Sequence, residues 1–197
     1  MNMDLKSRFN HFYRFTVGMI EGPMTVAPIN NNDIATKDRR NFFRGDFTNV
    51  RPEVFVEVDG NKVYDFIVAG APSFYLISDK VVNALRENSI TGWGAYPVTI
   101  RTKSMGGINN YHALYITGKA FKADRTLAEK IEVVLPNKKK KIKDKGYYFP
   151  LDSWDGTDIF YHIDTFGITV TEKVKNLFES LNITNVKFEK CTEYIWA

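Results

Sequence analysis

The sequence predicts an α+β protein: a mostly antiparallel, strongly twisted sheet carrying two related short helices. Three observations lead there. Short β-branched and aromatic runs recur between polar turns. Two stretches, "SDKVVNALRENSITG" (Ser78–Gly92) and "TEKVKNLFESLNITN" (Thr171–Asn185), read almost alike. No run approaches the roughly 18 apolar residues that a membrane helix needs. At 197 residues with 14% aromatics, the chain has length and bulk for a core without metal or disulfide.

In chain order, residues 1 to about 50 show weak periodicity, and "APINNNDIATKDRRNFFRGDF" predicts a loop or a short irregular element. Val54, Val56 and Val58 alternate with Phe55 and Glu57; Asp59-Gly60 then predicts a hairpin turn, with Val63–Val68 returning. "PSFYLIS" is an extended lead into a helix. "AYPVTIRTKS" and "YHALYITGKAF" predict two strands joined by the loop "MGGINN". "KIEVVLP" and "GYYFPL" predict a strand pair separated by a basic loop, and the chain closes on a helix and the strand "NVKFEKCTEYIW".

Shifting the chain by 93 residues aligns Asp65–Ala95 with Asp158–Phe188 without gaps. Six identities fall in those 31 positions, against about two by chance. Ser78 and Thr171 are expected N-caps, each followed by an acid, Asp79 or Glu172. Val174, Leu177, Phe178 and Leu181 form an apolar stripe; Val81, Ala84 and Leu85 form its shorter counterpart, which Asn88 interrupts. Gly92 and Asn185 follow Ile-Thr in each copy and suit a left-handed turn. The expected organisation is one domain over 1–197: an N-terminal extension (1–60), a first repeat unit (61–100), strand pairs with a basic loop (101–157) and a second repeat unit (158–197).

The segments "FYLISDKVVNALRENSITGWGAYPV", "YHALYITGKAFKAD" and "DIFYHIDTFGITVTEKVKNLFESLNITNVKFEK" resemble a widespread bacterial family. It is similar to the predicted immunity proteins of polymorphic toxin systems, close to immunity protein family 11. The resemblance covers roughly residues 62–190; residues 1–60 match nothing in it. It implies a cytoplasmic antidote that binds a cognate protein toxin and blocks its active site or activation. It implies no cofactor and carries no catalytic motif onto this chain.

The formal charge is +4, but Lys138–Lys145 holds six lysines and one aspartate. Without it, 21 basic residues face 22 acidic ones. The basic balance is thus local, which argues against a broad nucleic-acid surface. It also gives no support to a nuclease toxin, whose antidote gains from an acidic face. Lys138, Lys139, Lys140, Lys141 and Trp154 are the candidate partner-binding residues, and Trp93 and Trp196 are further aromatic anchors. The lysine run also fits a solvated loop that keeps sheet edges apart; alternatively it binds polyanions. "DRRNFFRGDF" mixes Arg39, Arg40 and Arg44 with Phe42, Phe43 and Phe47, although Asp38 and Asp46 blunt its field.

A hydrolase would pair His112 or His162 with Asp158 or Asp164 as a general base; a half-buried structural imidazole is the plainer expectation. "LDSWDGTD" departs from calcium-loop spacing, since its first acids are three apart and position twelve is Ile163. Cys191, the lone cysteine, excludes an internal disulfide and is expected as a buried thiol.

Overall fold

Strands dominate because the apolar runs are short and rich in β-branched and aromatic residues. The computed structural model describes residues 3–17, 20–30, 41–49, 51–70, 74–104, 106–164 and 167–196. In order these form α1 (Met3–Phe9), β1 (Phe12–Val17), β2 (Thr25–Pro28), β3 (Val54–Asp59), β4 (Phe66–Ala69), β5 (Tyr75–Ser78), α2 (Asp79–Glu87), β6 (Trp93–Arg101) and β7 (Gly107–Ile116). They continue with β8 (Gly118–Ala120), β9 (Glu129–Val134), β10 (Lys140–Lys145), β11 (Ile159–His162), β12 (Ile168–Thr171), α3 (Glu172–Ser180), β13 (Val186–Lys190) and β14 (Ile195–Trp196).

The mixed α+β class holds, but the strands do not form one sheet. Six close a barrel in the order β2-β3-β6-β7-β5-β4; five form β13-β1-β12-β11-β8; three form β14-β10-β9. Most pairs are antiparallel, while β2·β4, β3·β6 and β8·β11 run parallel. The barrel interior is filled by Met24, Val26, Phe55, Ile67, Leu76, Ile100 and Ala113 among others. A second cluster gathers Phe15, Phe66, Ile77, Val81, Leu85, Val170, Val174 and Phe178, joining barrel, five-stranded sheet and both helices. A third holds Phe9, Phe12, Tyr148, Phe149, Phe160 and Cys191. Nine-residue helices are marginal alone. Here α2 buries Val81, Val82, Ala84 and Leu85, and α3 buries Val174 and Phe178.

Several sequence expectations are corrected. The hairpin across Asp59-Gly60 does not form: β2 lies between β3 and β4, pairing antiparallel with one and parallel with the other. After Gly60 the chain instead runs beside residues 22–24, where Met24 N donates to Lys62 O and Lys62 N to Gly22 O. The expected basic loop is strand β10, hydrogen-bonded on both sides. "GYYFPL" is no strand; Tyr147, Tyr148 and Phe149 are buried in irregular backbone. The last segment breaks after Lys190, so β13 and β14 join different sheets. Residues 1–60 supply β1, which pairs with both β12 and β13, and β2 of the barrel. They are therefore not an appendage. Leu181, placed in the apolar stripe, is 40% exposed at the end of α3.

Ser78 and Thr171 occupy N-cap positions without capping through their side chains. Their hydroxyls donate to carboxylates instead, Ser78 to Asp65 (2.8 Å) and Thr171 to Asp158 (3.2 Å). Asp65 Oδ2 also accepts the Thr184 amide and hydroxyl, both at 2.9 Å. Asp158 Oδ2 accepts the Thr91 amide and hydroxyl, both at 3.0 Å. Lys80 and Lys173 lie 3.6 Å from Asp65 and Asp158 respectively. Each carboxylate thus precedes one helix and grips the turn that follows the other. Those turns are left-handed, as expected, at Gly92 (φ +85°) and Asn185 (φ +62°). At Gly92 an added Cβ would meet Ile159 O at 2.0 Å.

Candidate functional site

Strands β8 and β11 run parallel, so the segments leaving their C-terminal ends emerge together. Phe121–Arg125 leaves β8, and Asp164 follows β11. With Pro150 and Trp196 they line an open cleft of about 570 Å³. Arg125 is the central side chain. Its guanidinium lies 4.8 Å from the centre of the Trp196 ring, while Nε and Nη2 sit 3.0 and 2.9 Å from Asp144 Oδ2. Asp144 is buried and also takes Lys130. The Lys130 hydrogen bond, aided by Arg125, holds its carboxyl below the usual carboxylate range against the opposing effect of burial.

The candidate lysines stand on the β9–β10 hairpin, whose far end joins the cleft through Asp144 and its partners Arg125 and Trp196. Lys138 (φ +62°) and Lys139 form its turn, and Lys140 and Lys141 open β10. Lys140 pairs with Glu132 at 2.8 Å and Lys145 with Glu193 at 2.6 Å. Lys138, Lys139, Lys141 and Lys143 have no carboxylate partner among the described residues. Trp154 lies elsewhere. It packs on Phe12 and Phe160, donates Nε1 to Thr157 O and lines a separate cleft with Arg8, His11, Leu151 and Thr171. The structure therefore does not bring Trp154 together with the lysines. Trp196 lies on the strand next to β10, opposite Asp144 at the far end of β10 from Lys138–Lys141. Trp93 donates to Ile90 O and packs against the cluster between barrel and sheet.

Behind the cleft lies a buried polar chain. Arg14 Nη1 donates to Thr169 Oγ1 at 3.0 Å, and Thr169 meets His162 Nε2 at 3.1 Å. His162 Nδ1 sits 2.8 Å from Phe121 O. A carbonyl only accepts, so Nδ1 carries the proton and the Thr169 hydroxyl donates to Nε2. Burial drives the His162 pKa down to about 3; the Phe121 bond opposes this and Arg14 adds to it. The Arg14 guanidinium also rests 4.4 Å from the Tyr147 ring centre, and its Nε has no hydrogen-bond partner among the described residues.

No aspartate reaches His162 among the described residues, so the pairing with Asp158 or Asp164 is not formed. Asp158 is held by Thr91 and Thr171, and Asp164 lines the cleft. His112 does meet a carboxylate, Asp79, at 2.7 Å. No hydroxyl or thiol partner of His112 exists among the described residues. Asp155, in the rejected calcium segment, binds Thr157 and the Lys119 amide as a turn. No cluster of metal-binding side chains occurs among the described residues. Cys191 is fully buried, which pushes its thiol up to about 12. In "DRRNFFRGDF", Asp38, Arg39 and Arg40 lie outside the described residues. Phe42 and Phe43 are buried, and Arg44 donates to Ile163 O.

Sequence reasoning singled out Trp196 as an aromatic anchor but missed its partners Arg125 and Phe121, and it missed Arg14. Arg125 and Phe121 were legible only as residues after a strand, and Arg14 sat in a segment of weak periodicity. No helix of the described residues is long and apolar enough to cross a membrane. Neither a comparison with known protein families nor a search of curated proteins finds a match to this chain.

Proposed function

We propose that this chain is a non-enzymatic binding protein, an immunity protein that neutralises a bacterial toxin in the cytoplasm by direct contact. We further propose that it is built from two related units, β1–β6 with α2 and β7–β13 with α3. The observation that carries the reading is the fate of the recurring residues. Asp65, Thr91, Asp158 and Thr184 are spent on holding the two segments together, and neither carboxylate lines the cleft.

The pairing order supports the two-unit reading. Strands β6-β7-β5-β4-β2 in the barrel and β13-β1-β12-β11-β8 in the open sheet have matching partners and matching senses. The β4–β5 register Phe66↔Ile77 recurs 93 residues later as Ile159↔Val170. In this reading each unit lends its first strand to the other: β1 stands where β7 stands. The interiors then differ at matched positions. Ala69, Leu76 and Ala113 are buried in the barrel where His162, Thr169 and Arg14 are buried at the matched positions of the five-stranded sheet.

Co-expression with a toxin domain encoded beside this chain tests the function. Restored growth together with a stable complex is expected, and His112→Ala is expected to protect equally well. Loss of protection by a folded His112→Ala protein would favour the hydrolase reading instead.

A further inference from the structure

We propose that the outer edge of β9, with the hairpin face leading into the Arg125–Trp196 cleft, receives an extended acidic segment of the partner protein. This rests on the binding reading above and specifies the partner's chemistry. Four features converge.

Strand β9 ends its sheet, so its outward backbone groups have no strand partner among the described residues. The register puts Lys130, Glu132 and Val134 of β9 on one face with Asp144, Ile142 and Lys140 of β10 and Trp196 of β14. On that face Val134 and Ile142 are 62% and 60% exposed, and they are diagonal neighbours. Residues 121–145 hold nine basic and four acidic side chains. Of those acids, Glu132 and Asp144 are bound by basic neighbours within this surface, and Asp124 by Thr126. Lys138 and Lys139 in the turn, and Lys141 and Lys143 on the opposite face of β10, have no carboxylate partner among the described residues; a strand added to β9 alternates its side chains between the two faces and meets Val134 and Ile142 on one and these lysines on the other. At the foot of the face, Phe121 is 49% exposed beside the Arg125–Trp196 stack, which provides an anchor.

A main-chain ladder on β9 can be supplied by a polypeptide and not by a lipid surface or a nucleic acid. The charge requires that segment to be acidic. A toxin docking here does so through an acidic surface, not through a basic nucleic-acid cleft.

The test uses the full chain and a fluorescein-labelled peptide of alternating glutamate and valine. Its two controls are the same peptide N-methylated on alternate residues, and heparin. Binding is expected to weaken about tenfold on N-methylation, which removes ladder hydrogens but no charge. It is expected to weaken about tenfold again in K138S/K139S/K141S/K143S, with unchanged thermal unfolding. Equal affinity for the N-methylated peptide, or tighter binding of heparin, would make this a polyanion surface and overturn the proposal. Absence of peptide binding would overturn it too. A quadruple variant that binds and neutralises a toxin as the native chain does would sink this surface while leaving the immunity function standing. Peptide binding without toxin protection would do the reverse.

Discussion

Asp65 is half of the contact that ties the chain's two similar segments together. Burial alone would raise its carboxyl pKa. The Thr184 amide, the Ser78 and Thr184 hydroxyls and Lys80 outweigh this and hold it below the ordinary range. Asp65→Ala removes an acceptor from three donors, and we expect a loss of about 2–4 kcal/mol in urea denaturation. Asp158→Ala should cost a similar amount, because Thr91 and Thr171 are orphaned in the same way. His162 makes a second prediction. An unfolded histidine binds a proton below about pH 6.5, whereas buried His162 does so only near 3. The unfolded state therefore holds more protons across that window. Stability should fall as pH drops through it, by about 1.4 kcal/mol per unit. Asp65 and Asp144, with depressed folded values, add to the loss on further acidification. His162→Gln should flatten the upper part of the profile, measured by denaturation at several pH values.

At the scale of elements, the apolar stripe of α3 divides sharply. Phe178 is buried against the Phe66 and Phe188 rings, so Phe178→Ala should cost about 3–5 kcal/mol. Leu181→Ala, at an exposed position, should change stability by less than about 0.5 kcal/mol. Thermal melts of the two variants would separate them. Helix spacing was legible in the sequence because 3.6-residue periodicity is local, and both helices fall where the two similar stretches put them. The β6–β7 pairing was legible too, but β7 begins at Gly107, inside the expected loop, and the expected second strand breaks at Thr117, so that Gly118–Ala120 joins the five-stranded sheet. Asp59-Gly60 misled because a turn signal fixes a bend and not a partner; β2, some thirty residues upstream, took both strands. Lysine-rich β10 hid as a loop because its pattern lacks apolar alternation, and its pairing comes from β9 and β14. Of the candidate site, the lysines were visible as composition. Trp196 was visible as an aromatic anchor, but its meeting with Arg125 was not, because that depends on two segments about seventy residues apart.

For the whole molecule, the placement of two strands dominates. Strand β1 pairs with β12 and β13 near the other end of the chain, and β7 lies between β5 and β6 in the barrel. Cutting the chain between β6 and β7 leaves each fragment without a central strand that the other holds. We expect neither fragment alone to give a cooperative melt, and the mixture to regain one with concentration-dependent midpoint. Independent folding of either piece would show that the exchanged strand is dispensable. The same arrangement governs synthesis. The segment "FYRFTV" is made well before either of its partners, β12 and β13, and can find them only once they have followed. While the intervening strands are made, this largely buried strand must wait unpaired. A nascent chain stalled before residue 168 should remain protease-sensitive and bound to chaperones, because every lasting partner of its first strand is still unborn.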